Sequence, residues 1–310
     1  MRIGIDIMGG DFAPLEALKG CLDATKTFPE VELVLFGDEA EVNKAYQAIG
    51  VEPGTLQLVH CPETIGMAEH PTKALSQKKM SSISVGFHYL KEKQIDAFIG
   101  AGNTGAMMVG SIFSVKPIEG VFRPTITSIL PKADGSIGLL LDVGANADCK
   151  PDVLYQFGLL GSLFARHVYK IDNPKVGLLN IGEEPGKGNL ATQATFNLMQ
   201  DTTEYNFIGN VEGRDLFDSK VDVIVCDGFT GNIVLKACET MYYNLKKRQI
   251  KDEFLDRFNY ENYGGTPILG VNAPVIIGHG ISKANSFVNM IRLAKEVVET
   301  GLIEKIKSSF

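Results

Sequence analysis

Small polar residues recur beside glycines wherever an apolar run of this chain ends. The stretches are Met8-Gly9-Gly10-Asp11, Gly102-Asn103-Thr104-Gly105, Asp142-Val-Gly-Ala-Asn146, Asn180-Ile-Gly-Glu183-Glu-Pro-Gly-Lys187-Gly188, Gly209-Asn-Val-Glu-Gly213 and Asp227-Gly-Phe-Thr-Gly-Asn232. Glycine lets a backbone approach a ligand closely, and the free N–H groups at a helix start attract an anion. Turn and N-cap chemistry explains any one such loop, because Gly, Asn and Asp favour turns anyway. It does not explain why the strand ends at one edge of a sheet should share it. Capture of an anion such as phosphate does.

Other chemistries lack their residues. Gly100, Gly102 and Gly105 match the spacing G-x-G-x-x-G. A dinucleotide fold also needs an acidic residue about 20 positions on, at the end of the next strand. The next strand-like run, 125–130, ends in Pro131-Lys132, and the first carboxylate after it is Asp134 in an Asp-Gly turn. There is no G-x-x-x-x-G-K-[ST] phosphate loop and no G-x-S-x-G elbow. The five histidines are scattered without ligand spacing, so no metal is expected. Cations that suit a phosphate are Arg123 and Lys187, the latter between Gly186 and Gly188. His279, in a Gly-His-Gly bend, suits donation to an anion or to a leaving group. Cys149 and Cys226 lie near loop ends, but a positioned phosphate is itself a competent nucleophile and needs no covalent intermediate.

The elements that would carry these loops alternate. Strands are expected at 2–7, 31–36, 56–60, 97–99, 137–142, 176–180, 207–209 and 221–226. Helices are expected at 14–27, 39–49, 82–93, 104–113, 153–169, 190–200 and 232–247. Near-continuous apolar strands between helices predict a three-layer α/β/α fold with a mainly parallel sheet, its ligands beyond the carboxyl ends of the strands. The chain has 310 residues and a net charge of -7, which argues against a nucleic-acid partner. Its five cysteines show no C-x-x-C spacing and read as reduced cytosolic thiols, the chain begins as a strand without a secretory segment, and no apolar run reaches the roughly 18 residues of a spanning helix. The segment 241–262 is the least core-like. It carries Lys246-Lys-Arg-Gln-Ile-Lys251 beside Met241, Leu245, Ile250, Phe254 and Phe258 near helical spacing, and so reads as a helical docking segment.

Taken in order, these motifs, with Tyr263-Gly-Gly and Gly278-His279-Gly280, make the chain resemble the PlsX family of bacterial acyl-acyl carrier protein:phosphate acyltransferases. The resemblance runs from about residue 1 to about residue 300. It implies transfer of a long acyl chain from acyl carrier protein to inorganic phosphate, giving acyl phosphate for phospholipid synthesis. It implies a fold similar to phosphotransacetylases and the isocitrate/isopropylmalate dehydrogenase group, with two intertwined subdomains around a cleft, here 1–125 with 283–310, and 126–282. It further implies a homodimer without organic cofactor, cytoplasmic, with peripheral contact at the inner face of the membrane and with the downstream glycerol-3-phosphate acyltransferase. The stretch between Asn232 and Tyr263 is shorter than the family's hairpin and lacks its bulky apolar tip.

On this reading Lys187, His279, Asn146 and Asp227 are the expected catalytic residues. Gly9, Gly10, Asp11, Gly102, Asn103, Thr104, Gly105, Arg123, Asp142, Asn180, Glu183 and Asn232 are expected to bind phosphate or substrate, with Asp142 and Asp227 orienting donors. The competing readings are a short-chain acyl-CoA phosphotransacetylase, a dehydrogenase of the related fold and a non-catalytic docking protein.

Overall fold

The computed structural model describes residues 1–310, apart from the side chain of Tyr260. In chain order the elements are β1 (Arg2–Asp6), α1 (Leu15–Thr27), β2 (Glu32–Gly37), α2 (Glu39–Ala48), β3 (Gln57–His60), α3 (Pro71–Gln77), α4 (Ser82–Lys91), β4 (Ala97–Gly100) and α5 (Thr104–Gly110). A π-helical turn, Ser111–Val115, continues α5. Then come β5 (Thr125–Pro131), β6 (Ile137–Leu141), α6 (Pro151–His167), β7 (Lys175–Leu179), α7 (Leu190–Met199), β8 (Asn206–Val211), β9 (Val223–Val225), α8 (Gly228–Lys247) and α9 (Glu253–Asp256). The chain ends with β10 (Gly265–Leu269), β11 (Val275–Gly278), α10 (Ala284–Glu299) and a short terminal helix.

These elements form two compact units, each built from two pieces of chain. The first is Met1–Pro117 with Tyr260–Ile303, and the second is Ile118–Asn259 with Glu304–Phe310. Residues 260–282 were expected with the second unit. They sit in the first because β11 pairs parallel to β4, from Val275↔Phe98 to Ile277↔Gly100.

In the first unit the strand order is β3-β2-β1-β4-β11-β10, parallel except for β10. Its strands are apolar on both faces, as burial between helices requires: Ile3, Ile5, Val34, Phe98, Ile99 and Ile276 are fully buried. Register brings the strand ends level. Asp6 pairs with Gly100, and Gly100 with Ile277, so the loops after β1, β4 and β11 emerge together. The second unit has the order β5-β6-β9-β7-β8, with only β5 antiparallel. Leu141 and Leu178 both pair with Val225, so the loops after β6, β7 and β9 also leave from one edge.

Helix starts follow N-cap chemistry. Asp38, Ser81, Asn103, Asn189 and Asp227 each accept a backbone N–H three residues on. Asp227 thereby starts α8 at Gly228, a turn before the expected 232. β10, β11, α3, α10 and the terminal helix are additions to the expected set, and the strand-like run 125–130 is β5. Gly264, Gly265, Pro267, Gly270 and Pro274 mask β10 and β11, which sheet pairing nonetheless secures. α10 carries Phe287, Met290, Ile291 and Ala294 at helical spacing, all buried.

The basic segment 241–262 is only partly free. Beyond the turn after α8, the rings of Phe254 and Phe258 stack with Phe217 at centroid distances of 6.1 and 5.2 Å. Arg257 donates to the carbonyls of Lys132 and Ser136 at 2.8 and 2.6 Å. α8 itself buries only Gly228 and Gly231.

Gly231 locks the start of α8 against β6, since a Cβ there would strike the carbonyl oxygen of Asp142. Gly231→Ala is expected to cost about 2 kcal/mol of stability through overpacking. A lowered urea midpoint at unchanged slope checks this, and an unchanged midpoint would show that the contact yields.

Candidate active site

In the second unit one buried carboxylate shapes the loop after β6. Asp142 is fully buried. It accepts from the backbone N–H groups of Ile126 (3.2 Å), Gly144 (3.3 Å), Ala145 (3.1 Å) and Asn146 (2.6 Å) and from the Asn146 amide (2.9 Å). Burial pushes its pKa up, and these donors pull against that rise. The second Asn146 amide hydrogen goes to the Pro124 carbonyl at 2.8 Å. Asp142, expected to orient donors, thus shapes the loop itself, and Asn146, expected to be catalytic, has both amide hydrogens committed within it. Asn232 donates to the Val143 carbonyl at 3.1 Å and braces the same loop from α8.

The loop after β7 is tied in the same way. The Asn180 amide donates to the Lys187 carbonyl (3.0 Å) and to Asn210 Oδ1 (3.1 Å), while its own oxygen accepts the Ile181 N–H (2.9 Å). Asn210 in turn donates to the Glu184 carbonyl at 2.9 Å. Asn180 is thus a tie rather than a ligand, and Asn210 is a partner that sequence reading missed. Between these anchors Lys187 stands exposed, and its ammonium has no partner among the described residues. Glu183 is spoken for by Lys220, 2.7 Å away. Arg123 is exposed and makes one long bond, 3.2 Å, to the Asp148 carbonyl. Asp227 caps α8 through the Thr230 N–H and hydroxyl at 2.8 and 3.0 Å. A cavity of about 370 Å³ opens beside these groups, lined by Leu154, Leu178, Asn180, Gly188, Asp227 and Thr230.

In the first unit the loops after β1, β4 and β11 meet. A Cβ at Gly9 would lie 2.5 Å from both Asp6 Oδ2 and the Gly102 nitrogen, so the first two loops touch backbone to backbone. Gly10 has φ +103°, and the Asp11 N–H donates to the Gly280 carbonyl at 2.7 Å, which joins the third loop next to half-buried His279. Asn103 caps α5 by accepting the Ala106 N–H at 2.9 Å. Its amide is spent on the carbonyls of Gly66 and Glu69, at 3.0 and 2.9 Å. A Cβ at Gly105 would strike Pro71. The Asn103 side chain is thus committed to the α5 cap and to these carbonyls, Gly105 leaves no room for a side chain beside Pro71, and Thr104 is exposed with no hydroxyl partner among the described residues.

Asp6 was also missed. It is a lone charge at the end of an apolar strand, which is the signal that finds it. It is 1% exposed, Oδ1 accepts the Met8 N–H at 3.1 Å, and Oδ2 meets no donor in hydrogen-bonding geometry. Burial raises its pKa to about 6. Burial likewise pushes the Cys149 thiol up to about 12 and the Cys226 thiol well above its usual value, so neither is a ready thiolate nucleophile.

Comparison with known proteins bears on these loops. The model of a family described as "Fatty acid synthesis protein" matches residues 1–256 and 247–305, in two pieces that overlap from the end of α8 through α9. A phosphate acyltransferase of Desulforamulus reducens is 44% identical over 100% of this chain and 97% of its own length. One of Dictyoglomus turgidum is 39% identical over 99% of this chain and 96% of its own. Among solved structures, a phosphotransacetylase from Streptococcus pyogenes superposes with a TM-score of 0.65 at 15% identity, over 98% of this chain and 94% of that one. A branched-chain phosphotransacylase from Enterococcus faecalis gives 0.62 at 15% identity, over 96% and 99%. At that identity the likeness is one of fold, and it is the phosphotransacetylase-like α/β fold expected.

A carboxyl whose folded pKa is raised binds its proton more tightly folded than unfolded. Asp6 therefore favours the folded state below its unfolded pKa of 3.8, and that advantage disappears as pH rises through about 6. The difference is worth about 3 kcal/mol. Asp6→Asn, which cannot ionise, should gain melting temperature relative to the native protein as pH goes from 4 to 7. A gap between the two that stays constant with pH would contradict the buried-charge reading.

Proposed function

We propose that this chain, which belongs to the phosphate acyltransferase family, moves a long acyl group from acyl carrier protein to inorganic phosphate, and that the acyl phosphate feeds phospholipid synthesis. The observation that carries the reading is Lys187: an unpartnered ammonium on a glycine loop held at both ends by Asn180 and Asn210. A phosphate oxygen attacks the thioester carbonyl carbon, a C–O bond forms, the C–S bond breaks, and the thiolate leaves and takes a proton. Lys187 and Arg123 balance the charge of the attacking anion. Thr104 and His279 are donors of the first unit suited to phosphate or to the departing sulfur. Asp142, Asn146, Asp227 and Asn232 hold loops in place, so that their dipoles need little reorganisation during reaction. The protonated thiols of Cys149 and Cys226 suit direct attack by phosphate rather than an acyl-enzyme.

The same reading assigns a cytoplasmic homodimer that touches the inner face of the membrane and the downstream glycerol-3-phosphate acyltransferase. No described helix is long and apolar enough to cross a membrane. α8 supports a docking role, with Phe229, Ile233, Met241 and Tyr243 exposed and Lys246 and Lys247 in its last turn. The alternative, a phosphotransacetylase acting on short acyl-CoA, draws only on the likeness of fold.

The test is to supply purified protein with phosphate and either a long-chain acyl-acyl carrier protein or acetyl-CoA, and to trap acyl phosphate with hydroxylamine. Product from the carrier protein alone supports the proposal, and product from acetyl-CoA alone favours the alternative. Lys187→Ala should lower kcat/KM for phosphate by about 100-fold, with Lys187→Arg recovering part of it. Native kinetics in Lys187→Ala would remove this residue from the mechanism.

A further inference from the structure

Asp6 has no place in the transfer chemistry, yet it lies at the base of the first unit's loops. Its Oδ2 is 2.5 Å from the position of a Cβ at Gly9 and 3.0 Å from that of a Cβ at Gly102, so glycine backbone lies against it on both sides of the seam. The Gly102 nitrogen is 2.5 Å from the same Gly9 position. Gly102 is buried, and its N–H has no hydrogen-bond partner among the described residues. Buried polar groups are normally paired, so an acceptor and a donor left unmet side by side need a reason. Burial raises the Asp6 pKa to about 6, and hydrogen bonds from Ser82, Met8 and Gly9 oppose the rise without placing a well-aligned donor on Oδ2. The surrounding elements bring no cation to it. Cys61 after β3 holds a neutral thiol, pushed up to about 12 by burial. Asp38 after β2 caps α2, and Arg292 and Lys295 of α10 bond Asn289 and Glu299. β4, α5 and the first turn of α4 carry no ionisable side chain. In the loops after β1 and β11, Asp11 and Lys283 are exposed and His279 is half-buried.

We propose that Asp6 is a positioning residue that must be neutral when phosphate engages these loops, so that phosphate binding draws a proton onto it. The inference rests on the reading of the first-unit loops as part of the phosphate site. Ionised, Asp6 repels an anion at the seam and competes with it for the Gly102 N–H. Neutral, it leaves that N–H to the phosphate, and its own proton removes the cost of a bare buried charge. The step is uptake of one proton from the buffer by the carboxylate, and no other covalent bond forms or breaks. Linkage is reciprocal: the factor by which phosphate tightens proton binding is the factor by which the proton tightens phosphate binding. With a pKa of about 6, free Asp6 is about nine-tenths ionised at pH 7, which weakens the apparent affinity of the native protein for phosphate about tenfold.

Calorimetric titration with inorganic phosphate, run in two buffers of different ionisation enthalpy, gives the affinity and the number of protons taken up. Phosphate and His279 exchange protons of their own in either protein, so the native protein is compared with Asp6→Asn. At pH 7 the native protein should take up close to one proton more per phosphate than the variant. The variant should bind phosphate about tenfold more tightly than the native protein at pH 7 and about a hundredfold at pH 8, with nearly equal affinities at pH 5. A purely structural Asp6 would instead make the variant the weaker binder at every pH. A second measurement does not depend on any variant. The infrared difference spectrum of the native protein at pH 7, with phosphate minus without, should gain the C=O stretch of a protonated carboxyl. Equal proton counts in the two proteins, weaker binding by Asp6→Asn at pH 7, or no such carboxyl band would overturn the linkage while leaving phosphate binding and acyl transfer intact. A native protein that binds no phosphate would instead overturn the phosphate reading, and the linkage with it.

Discussion

A carboxylate buried at the end of a strand has to be met by donors, and at Asp142 those donors are the loop itself. Leaving the charge bare in the interior would cost several kcal/mol. Folding avoids this by wrapping residues 143–146 around the carboxylate until their N–H groups and the Asn146 amide point at it. The loop's shape is thereby set by an electrostatic requirement that exists before any ligand arrives. The Asn146 carbonyl then receives the Gly228 N–H at 2.7 Å, which carries the constraint into the start of α8.

The same division of labour recurs at Asn180, Asn210 and Asn103, whose amides are consumed by backbone carbonyls. Polar residues that look like ligands in the sequence are largely the fasteners of the loops. What they leave open is a smaller set: Lys187, most of the Arg123 guanidinium and the Thr104 hydroxyl. A cation held on a fastened loop loses less freedom when it binds an anion than one on a mobile chain. Asp6 is equally buried, and burial raises its pKa as it raises that of Asp142, which has more backbone donors to pull against the rise.

Much of the fold was legible because its signals are local. Apolar runs ending in glycine marked β1, β4, β6 and β9, and the caps at Asp38 and Asn189 marked helix starts. β10 and β11 were not, because their residues are broken by Gly and Pro and become strands only through pairing beside β4. That pairing also moved the boundary between the units. Glycine spacing marked the turns that follow the strands, but not which of their atoms stay free. Whether Asn103 offers its amide outward or to Gly66 depends on a partner 37 positions away, which no spacing rule contains. Asp6 went unread because it closes an apolar strand, and Asn210, quoted only as part of a strand-end stretch, lies within β8, where its tie to the Glu184 carbonyl is visible only from the loop packed on it.

The central claim is that the buried Asp142 carboxylate preorganises the loop after β6. Amide hydrogen exchange at Gly144, Ala145 and Asn146 tests it most directly, in the native protein and in Asp142→Asn, with the amides of β1 as a reference for global stability. The account predicts that these loop amides are protected in the native protein and exchange at least about tenfold faster in the variant, while β1 keeps its protection. Exchange in the native loop as fast as in an unstructured peptide, or identical in the two proteins, would contradict it.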